Sequence, residues 1–196
     1  MRHRALVIKV LIFVLLGIIL VSHHPFADNS LLDGTLEMSG YLLLVTAAIG
    51  RLWCAAYISG NKKTQLVVSG PYSLVRNPLY FFSLLGFIGA GFALESITVA
   101  VTLALVFTLT HLPAMRSEEQ NLGDLFGDEF TNYMDKVPRF FPRSLTMTQP
   151  DRLEFSPRLF NRAVWECAMI LLIFLLAHGL EWAHEQGIVP VLIHLP

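Results

Sequence analysis

The sequence predicts an all-α integral membrane protein, a bundle of about five transmembrane helices with a short amphipathic helix at its cytoplasmic face. Three observations carry that prediction. Of 196 residues, 54% are hydrophobic and only 15% are charged, a balance unlike that of a soluble domain. Five apolar runs approach the roughly 20 residues that a helix needs to cross a bilayer. Lys and Arg segregate into alternate connections, although the formal net charge is only −1.

The first run, Ala5 to Ser22, follows Met-Arg-His-Arg and imitates a signal peptide, but no Ala-x-Ala type of cleavage motif follows it. It is read as a span. The second runs from Met38 to Ile58, the third from Leu79 to Leu94, the fourth from Ser96 to Met115 and the fifth from Ala163 to Glu181. Arg2 and Arg4 precede the first span, and Lys62, Lys63 and Arg76 follow the second. Arg116, Lys136, Arg139, Arg143, Arg152, Arg158 and Arg162 follow the fourth. The loop from His23 to Glu37, the turn at Glu95 and the tail after Glu181 hold no basic residue. This pattern places the N-terminus in the cytoplasm and the C-terminus outside, as an odd number of spans requires. Because the spans fill about half of the chain, residues 1–196 form one membrane domain whose core is the bundle itself. The compact connections point to a prokaryotic plasma membrane.

A tight turn near Glu95-Ser96 joins the third and fourth spans, so the polar mass gathers on the cytoplasmic side. There, Ser117 to Asp135 is expected to form a separate amphipathic helix. It begins with the capping-box pattern Ser-x-x-Gln at 117–120 and carries Leu122, Leu125, Phe126, Phe130 and Tyr133 at helical spacing. Pro138, Pro142, Pro150 and Pro157 then break the chain into turns.

The candidate chemistry starts with Gly70-Pro-Tyr-Ser-Leu-Val-Arg-Asn-Pro-Leu-Tyr80. Gly70 permits a tight turn, Pro71 fixes a backbone dihedral, and Asn77-Pro78 starts the third span at the proline. Arg76 is thereby held at the membrane boundary, either as an anchor that snorkels to lipid phosphate or as an anion clamp. Gly86, Gly89 and Gly91 either let helices approach closely or make room for a cofactor. Glu118 and Glu119 are either solvated first-turn acids or carboxylates for a ligand's ammonium or ribose hydroxyls. Arg51, within the second span about two turns from its cytoplasmic end, either snorkels to the interface or binds substrate or cofactor, as ionisable residues inside spans often do. His111, near the cytoplasmic end of the fourth span, either lines the same pocket or packs. His178, Glu181, His184 and Glu185, with His23 and His24, more naturally end spans than bind zinc, and no metal site is expected. Cys54 and Cys167 read as small buried hydrophobes. No cluster of basic residues with stacking aromatics suggests nucleic acid.

Taken together, Gly-Pro-Tyr-x-x-x-Arg-Asn-Pro-x-Tyr at 70–80, the Glu118-Glu119 pair, Leu-Phe-Gly-Asp-Glu-Phe at 125–130, Tyr133 and Val-Pro-Arg-Phe at 137–140 resemble one superfamily. It is that of the isoprenylcysteine carboxyl methyltransferases and phospholipid methyltransferases. The resemblance covers about residues 70–142 and implies S-adenosylmethionine as cofactor, with a membrane lipid or isoprenoid-linked acceptor. It places the cofactor at Gly89, Gly91, Glu118 and Glu119 and matches Arg76, Pro78 and Tyr80; with Tyr72, Asn77 and His111 read from the residues themselves, these complete the candidate cofactor site, and Arg76 and Glu119 are the candidate catalytic residues, with Glu119 or Glu118 the base if one is needed. One departure is Asn77, which stands where the family commonly has histidine and cannot act as a base near neutral pH. The sequence leaves two rival readings, a nicotinamide-dependent membrane reductase and a non-catalytic assembly protein. It does not specify an oligomeric state.

Overall fold

A computed structural model describes residues 31–59, 65–150, 153 and 155–185 of the chain. The chain divides into two compact units, one of Leu31–Leu171 and one of Met1–Ser30 with Leu172–Pro196. The regular structure among the described residues of the first unit is helical: α1 (Leu31–Ile58), the single-turn α2 (Pro71–Leu74), α3 (Pro78–Ala93), α4 (Ile97–Phe126), α5 (Asp128–Lys136) and the first part of α6 (Pro157–Glu185). Described residues of the second unit carry α6 on to Glu185. The first predicted span lies outside the described residues, as do His23, His24 and the side chains of His178, Glu181, His184 and Glu185.

The other four predicted spans coincide with α1, α3, α4 and α6. Within the described residues, the stretches Gly34–Ile58 and Ile97–Phe126 are long and apolar enough to cross a membrane, and Pro78–Ala93 is a shorter apolar helix. Each long helix shows large apolar side chains outward. On α1 these are Met38, Leu42, Val45 and Ile49, and on α4 they are Ile97, Val101, Leu105 and Leu109, at 53–75% exposure for the latter set. Spacing of three and four residues makes each set a stripe along one helix face. In water such stripes would be a liability; facing lipid, they are what a membrane protein presents.

The opposite face of α1 is built for contact. Gly40, Leu44, Ala47, Gly50 and Cys54 are buried, and small residues there let α3 come within backbone distance. A Cβ built on Gly89 would stand 2.8 Å from Leu43 Cβ and 2.9 Å from the Gly40 carbonyl oxygen, and one on Gly91 would overlap the backbone of Ala100 in α4. Neither neighbour can yield, because each is held in a helix. Gly91→Ala is therefore expected to destabilise the protein by about 3 kcal/mol, at the upper end of overpacking costs. Thermal unfolding in detergent checks this against Gly34→Ala, where an added Cβ meets nothing within 4 Å.

Ser96 caps α4, its hydroxyl accepting from the Val99 amide at 3.3 Å, just after Glu95 makes the tight turn with φ 53°. The helix then runs 30 residues, about 45 Å, well beyond a hydrocarbon core of about 30 Å. Pro113 lies inside it without ending it. The expected separate helix from Ser117 to Asp135 is thus corrected: its first half continues α4. Nothing between Met115 and Asn121 disfavours helix, and extending a helix is far cheaper than nucleating a new one. Ser117 consequently has no chain end to cap. The break falls at Gly127, whose φ of 53° ends α4. Helix α5 follows with Asp128 and Glu129 in its first turn and Lys136 in its last, an order that suits the helix dipole.

Candidate functional site

The segment 70–77 is fixed to a second segment more than sixty residues away. Gly70 turns the chain with φ 60°, α2 makes one turn, Val75 is extended, and Asn77 precedes Pro78, which opens α3. The Arg76 and Asn77 amides donate to the carbonyls of Pro138 and Arg139 at 2.8 and 3.2 Å, and the Gly70 amide donates to Thr148 at 2.8 Å. Thr148 in turn donates its amide to Ser73 Oγ at 3.1 Å. From α5, the Tyr133 hydroxyl donates to the Tyr72 carbonyl at 2.7 Å. Burial pushes both phenols above their ordinary range, so each oxygen keeps its proton as a hydrogen-bond donor.

Between the two segments stands Glu119 of α4, 8% exposed. Its carboxylate accepts from Asn77 Nδ2 at 2.8 Å and from Arg139, whose Nη2 approaches Oε2 to 2.6 Å and whose Nε lies 3.1–3.2 Å from both oxygens. Arg76 Nε adds an ion pair at 3.7 Å. Two guanidiniums and an amide thus converge on one acid. The forked contact with Arg139 is the strong, directional kind of pairing. Asn77 therefore serves as a donor that joins the 70–80 segment to α4.

Glu118, the next residue, turns the other way. It is exposed and accepts from the Tyr80 hydroxyl at 3.2 Å. The His111 ring stacks on Phe107 with centroids 4.1 Å apart and meets Tyr80 edge-on at 6.0 Å. Its Nδ1 lies 3.0 Å from the Phe107 carbonyl and 2.9 Å from Thr110 Oγ1. Tyr80, His111 and Glu118 therefore form an accessible aromatic and acidic face, with Arg76, Asn77, Pro78 and Glu119 packed beside it. Tyr72 lies beneath, in a buried cluster with Cys54 and Tyr57.

Three sequence-predicted residues lie apart from that face. Gly89 and Gly91 are eleven and thirteen residues along α3 from Pro78, about 16–20 Å by helix rise, and are taken up by contacts with α1 and α4. Arg51 of α1 donates to Ser83 Oγ in α3 and pairs with Glu166 of α6 at 3.7 Å. Glu166 also accepts from Arg162 at 3.0 Å. Sequence reasoning had not selected Arg139, Ser83 or Glu166. Arg139 did lie within the quoted Val-Pro-Arg-Phe stretch, and Glu166 was visible as an acid inside an apolar run.

Residues 34–129 match the phospholipid methyltransferase family. Over essentially its full length the chain is also similar to two bacterial proteins. It is 36% identical to the nickel-cobalt-cadmium resistance protein NccN of Alcaligenes xylosoxydans xylosoxydans, covering 100% of this chain and 91% of the relative. The chain belongs to the phospholipid methyltransferase family. Similarity to the cobalt-zinc-cadmium resistance protein CzcN of Cupriavidus metallidurans is 34% identity over 99% of the chain and 89% of that protein. A methanethiol S-methyltransferase of Pseudomonas deceptionensis is 31% identical over 50% of this chain and 35% of its own. No solved structure matches. For this member of the phospholipid methyltransferase family, the matched stretch includes Arg76, Asn77, Tyr80, Glu118 and Glu119 and ends before Arg139.

Proposed function

We propose that the protein is an S-adenosylmethionine-dependent methyltransferase of a prokaryotic plasma membrane, acting at the cytoplasmic face on a lipid or isoprenoid-linked acceptor. The observation that carries this reading is the paired Glu118 and Glu119, one exposed beside Tyr80 and His111 and the other tied to Asn77 and Arg139. That arrangement holds the two family-like segments together and leaves one carboxylate accessible.

The residues present fit the cofactor by their chemistry. Glu118 suits an ammonium or ribose hydroxyls, and the rings of Tyr80 and His111 suit an adenine or a sulfonium. When bound, S-adenosylmethionine supplies an electrophilic methyl group. The protein's own work is then to hold the acceptor in line and to exclude water. Arg76 orients the acceptor, and Glu119 positions Arg76 and Asn77. Gly89 and Gly91 act through helix packing. The names of NccN and CzcN add a physiological setting, metal resistance, in which the methylated membrane component is the product that matters. Among the described residues no three His, Cys, Asp or Glu side chains gather to hold a metal ion.

Calorimetry on purified protein tests the cofactor directly. Wild type should bind S-adenosylmethionine saturably and NADPH not at all. Glu118→Ala should weaken binding about tenfold, the scale of a hydrogen bond to a charged group, with no change in melting temperature. Saturable NADPH binding in place of S-adenosylmethionine would favour the reductase instead.

A further inference from the structure

Helices α1 and α3 run antiparallel. A Cβ on Gly40 would meet Ala93 and one on Gly50 would meet Phe82, so Ser59, just past α1, and Asn77, just before α3, lie at the same end of the pair. The stretch from Pro138 to Ser156 is tied to that end. The carbonyls of Pro138 and Arg139 accept from the amides of residues 76 and 77, that of Thr148 accepts from Gly70, and the Ser156 amide donates to Ser59 Oγ at 3.4 Å. Phe140 turns inward and meets the Phe81 ring of α3 at a steep angle, centroids 5.6 Å apart.

Between the ties, apolar side chains point away from the protein. Phe141 is 73% exposed and Leu145 84%, and Leu153 and Phe155 are exposed as well. A single exposed apolar side chain is ordinary, but four along one tethered stretch make a surface that calls for a partner. The charges indicate which partner. From Lys136 to Pro150 the chain carries Lys136, Arg139 and Arg143 and no Asp or Glu. Arg139 is engaged by Glu119, whereas Arg143 is exposed and forms no ion pair among the described residues. Apolar tips interleaved with cations, level with the ends of two apolar helices, suit the boundary of an anionic leaflet. There the tips enter the acyl region and the guanidinium meets phosphate.

We propose that residues 139–155 form an interfacial anchor, in which Phe141 and Leu145 dip into the leaflet at the Ser59–Asn77 end of the bundle and Arg143 binds the phosphate of an anionic phospholipid. The anchor requires only that α1 and α3 lie in a membrane, and it stands apart from the methyltransferase reading. Arg139, at its base, also grips Glu119, so the lipid that seats the anchor steadies that junction.

The test places a nitrobenzoxadiazole fluorophore on Thr146→Cys, an exposed position between the ties, in full-length protein in nanodiscs. Cys54 and Cys167 are buried and escape labelling. In phosphatidylcholine discs containing phosphatidylglycerol, a phospholipid with a shallow doxyl group should quench the label and aqueous iodide should not. Arg143→Gln should lower the ratio of lipid-inserted to water-exposed label about fivefold, the effect of one basic residue at an anionic surface, and only where phosphatidylglycerol is present. Phe141→Ser with Leu145→Ser should lower that ratio about tenfold or more in either lipid. All three side chains are exposed, so the melting temperatures of these variants should match wild type. Quenching by iodide but not by doxyl lipid puts the stretch in water and overturns the proposal. So does insertion that ignores both phosphatidylglycerol and Arg143→Gln. Protection that appears only when two copies share a disc also overturns it, because the partner is then protein.

Discussion

Glu119→Ala is expected to lower the unfolding free energy by about 3 kcal/mol and to abolish methyl transfer, whereas Glu118→Ala leaves stability unchanged. The magnitude is that of breaking a buried ion pair from one side, which strands the remaining charge. It falls at the low end of that range because the Arg139 side chain is 42% exposed and can rehydrate. Arg76, 13% exposed, and the buried Asn77 have less recourse to water. Loss of Glu119 therefore loosens the 70–80 segment from α4 and lets Arg76 leave its orientation. Catalysis by alignment tolerates such movement poorly, since displacements of about 1 Å can cost a hundredfold in rate. Glu119→Gln should fall between the two, because a neutral amide still accepts from Asn77 or Arg139 but forgoes the charge on both guanidiniums. Denaturant titration in detergent reads the stability difference, and a radiolabelled methyl-transfer assay reads the activity. Wild-type stability in Glu119→Ala would show that the carboxylate does not join the two segments.

The contrast between neighbouring glutamates shows where sequence reading reaches its limit. A helix turns by about 100° per residue, so Glu118 and Glu119 necessarily face different ways. Which of them is buried depends on which face of α4 meets the 70–77 segment, a tertiary fact absent from the doublet itself. The turn at Glu95-Ser96, the helix start at Pro78 and the helices at the four described apolar runs were all legible, because each rests on local chemistry: a proline, a capping hydroxyl, a run of apolar residues. The Ser117 cap misled for a related reason. Its pattern is local, but a cap needs a chain end, and α4 simply continues through it. Arg139 was missed because its position depends on backbone pairing with residues 76 and 77, far away in sequence. Gly89 and Gly91 were equally legible as packing or as cofactor room. The atoms that occupy their Cβ positions favour packing.

Gly70→Ala is expected to be the other severe substitution, costing about 4 kcal/mol, and a second glycine allows that figure to be divided. Gly70 has φ 60° and ψ −132°, a conformation that an L side chain adopts only under strain, at about 1–3 kcal/mol. A Cβ there would also overlap the Tyr57 ring, which is itself 8% exposed and held in the cluster with Cys54 and Tyr72. Displacing a packed ring adds a further overpacking cost of about 1–3 kcal/mol. Gly127 has nearly the same backbone, φ 53° and ψ −122°, but nothing stands within 4 Å of its added Cβ. Gly127→Ala should therefore report the backbone strain alone, about 2 kcal/mol, and the excess seen at Gly70 should be the price of moving Tyr57. Gly70→Ala combined with Tyr57→Ala tests that division. The ring's removal opens room for the new methyl, so the double variant should be less destabilised than the sum of the singles, a coupling expected only of residues in contact. Additive costs would mean that the Tyr57 ring does not crowd Gly70, and that conformation alone reserves position 70 for glycine.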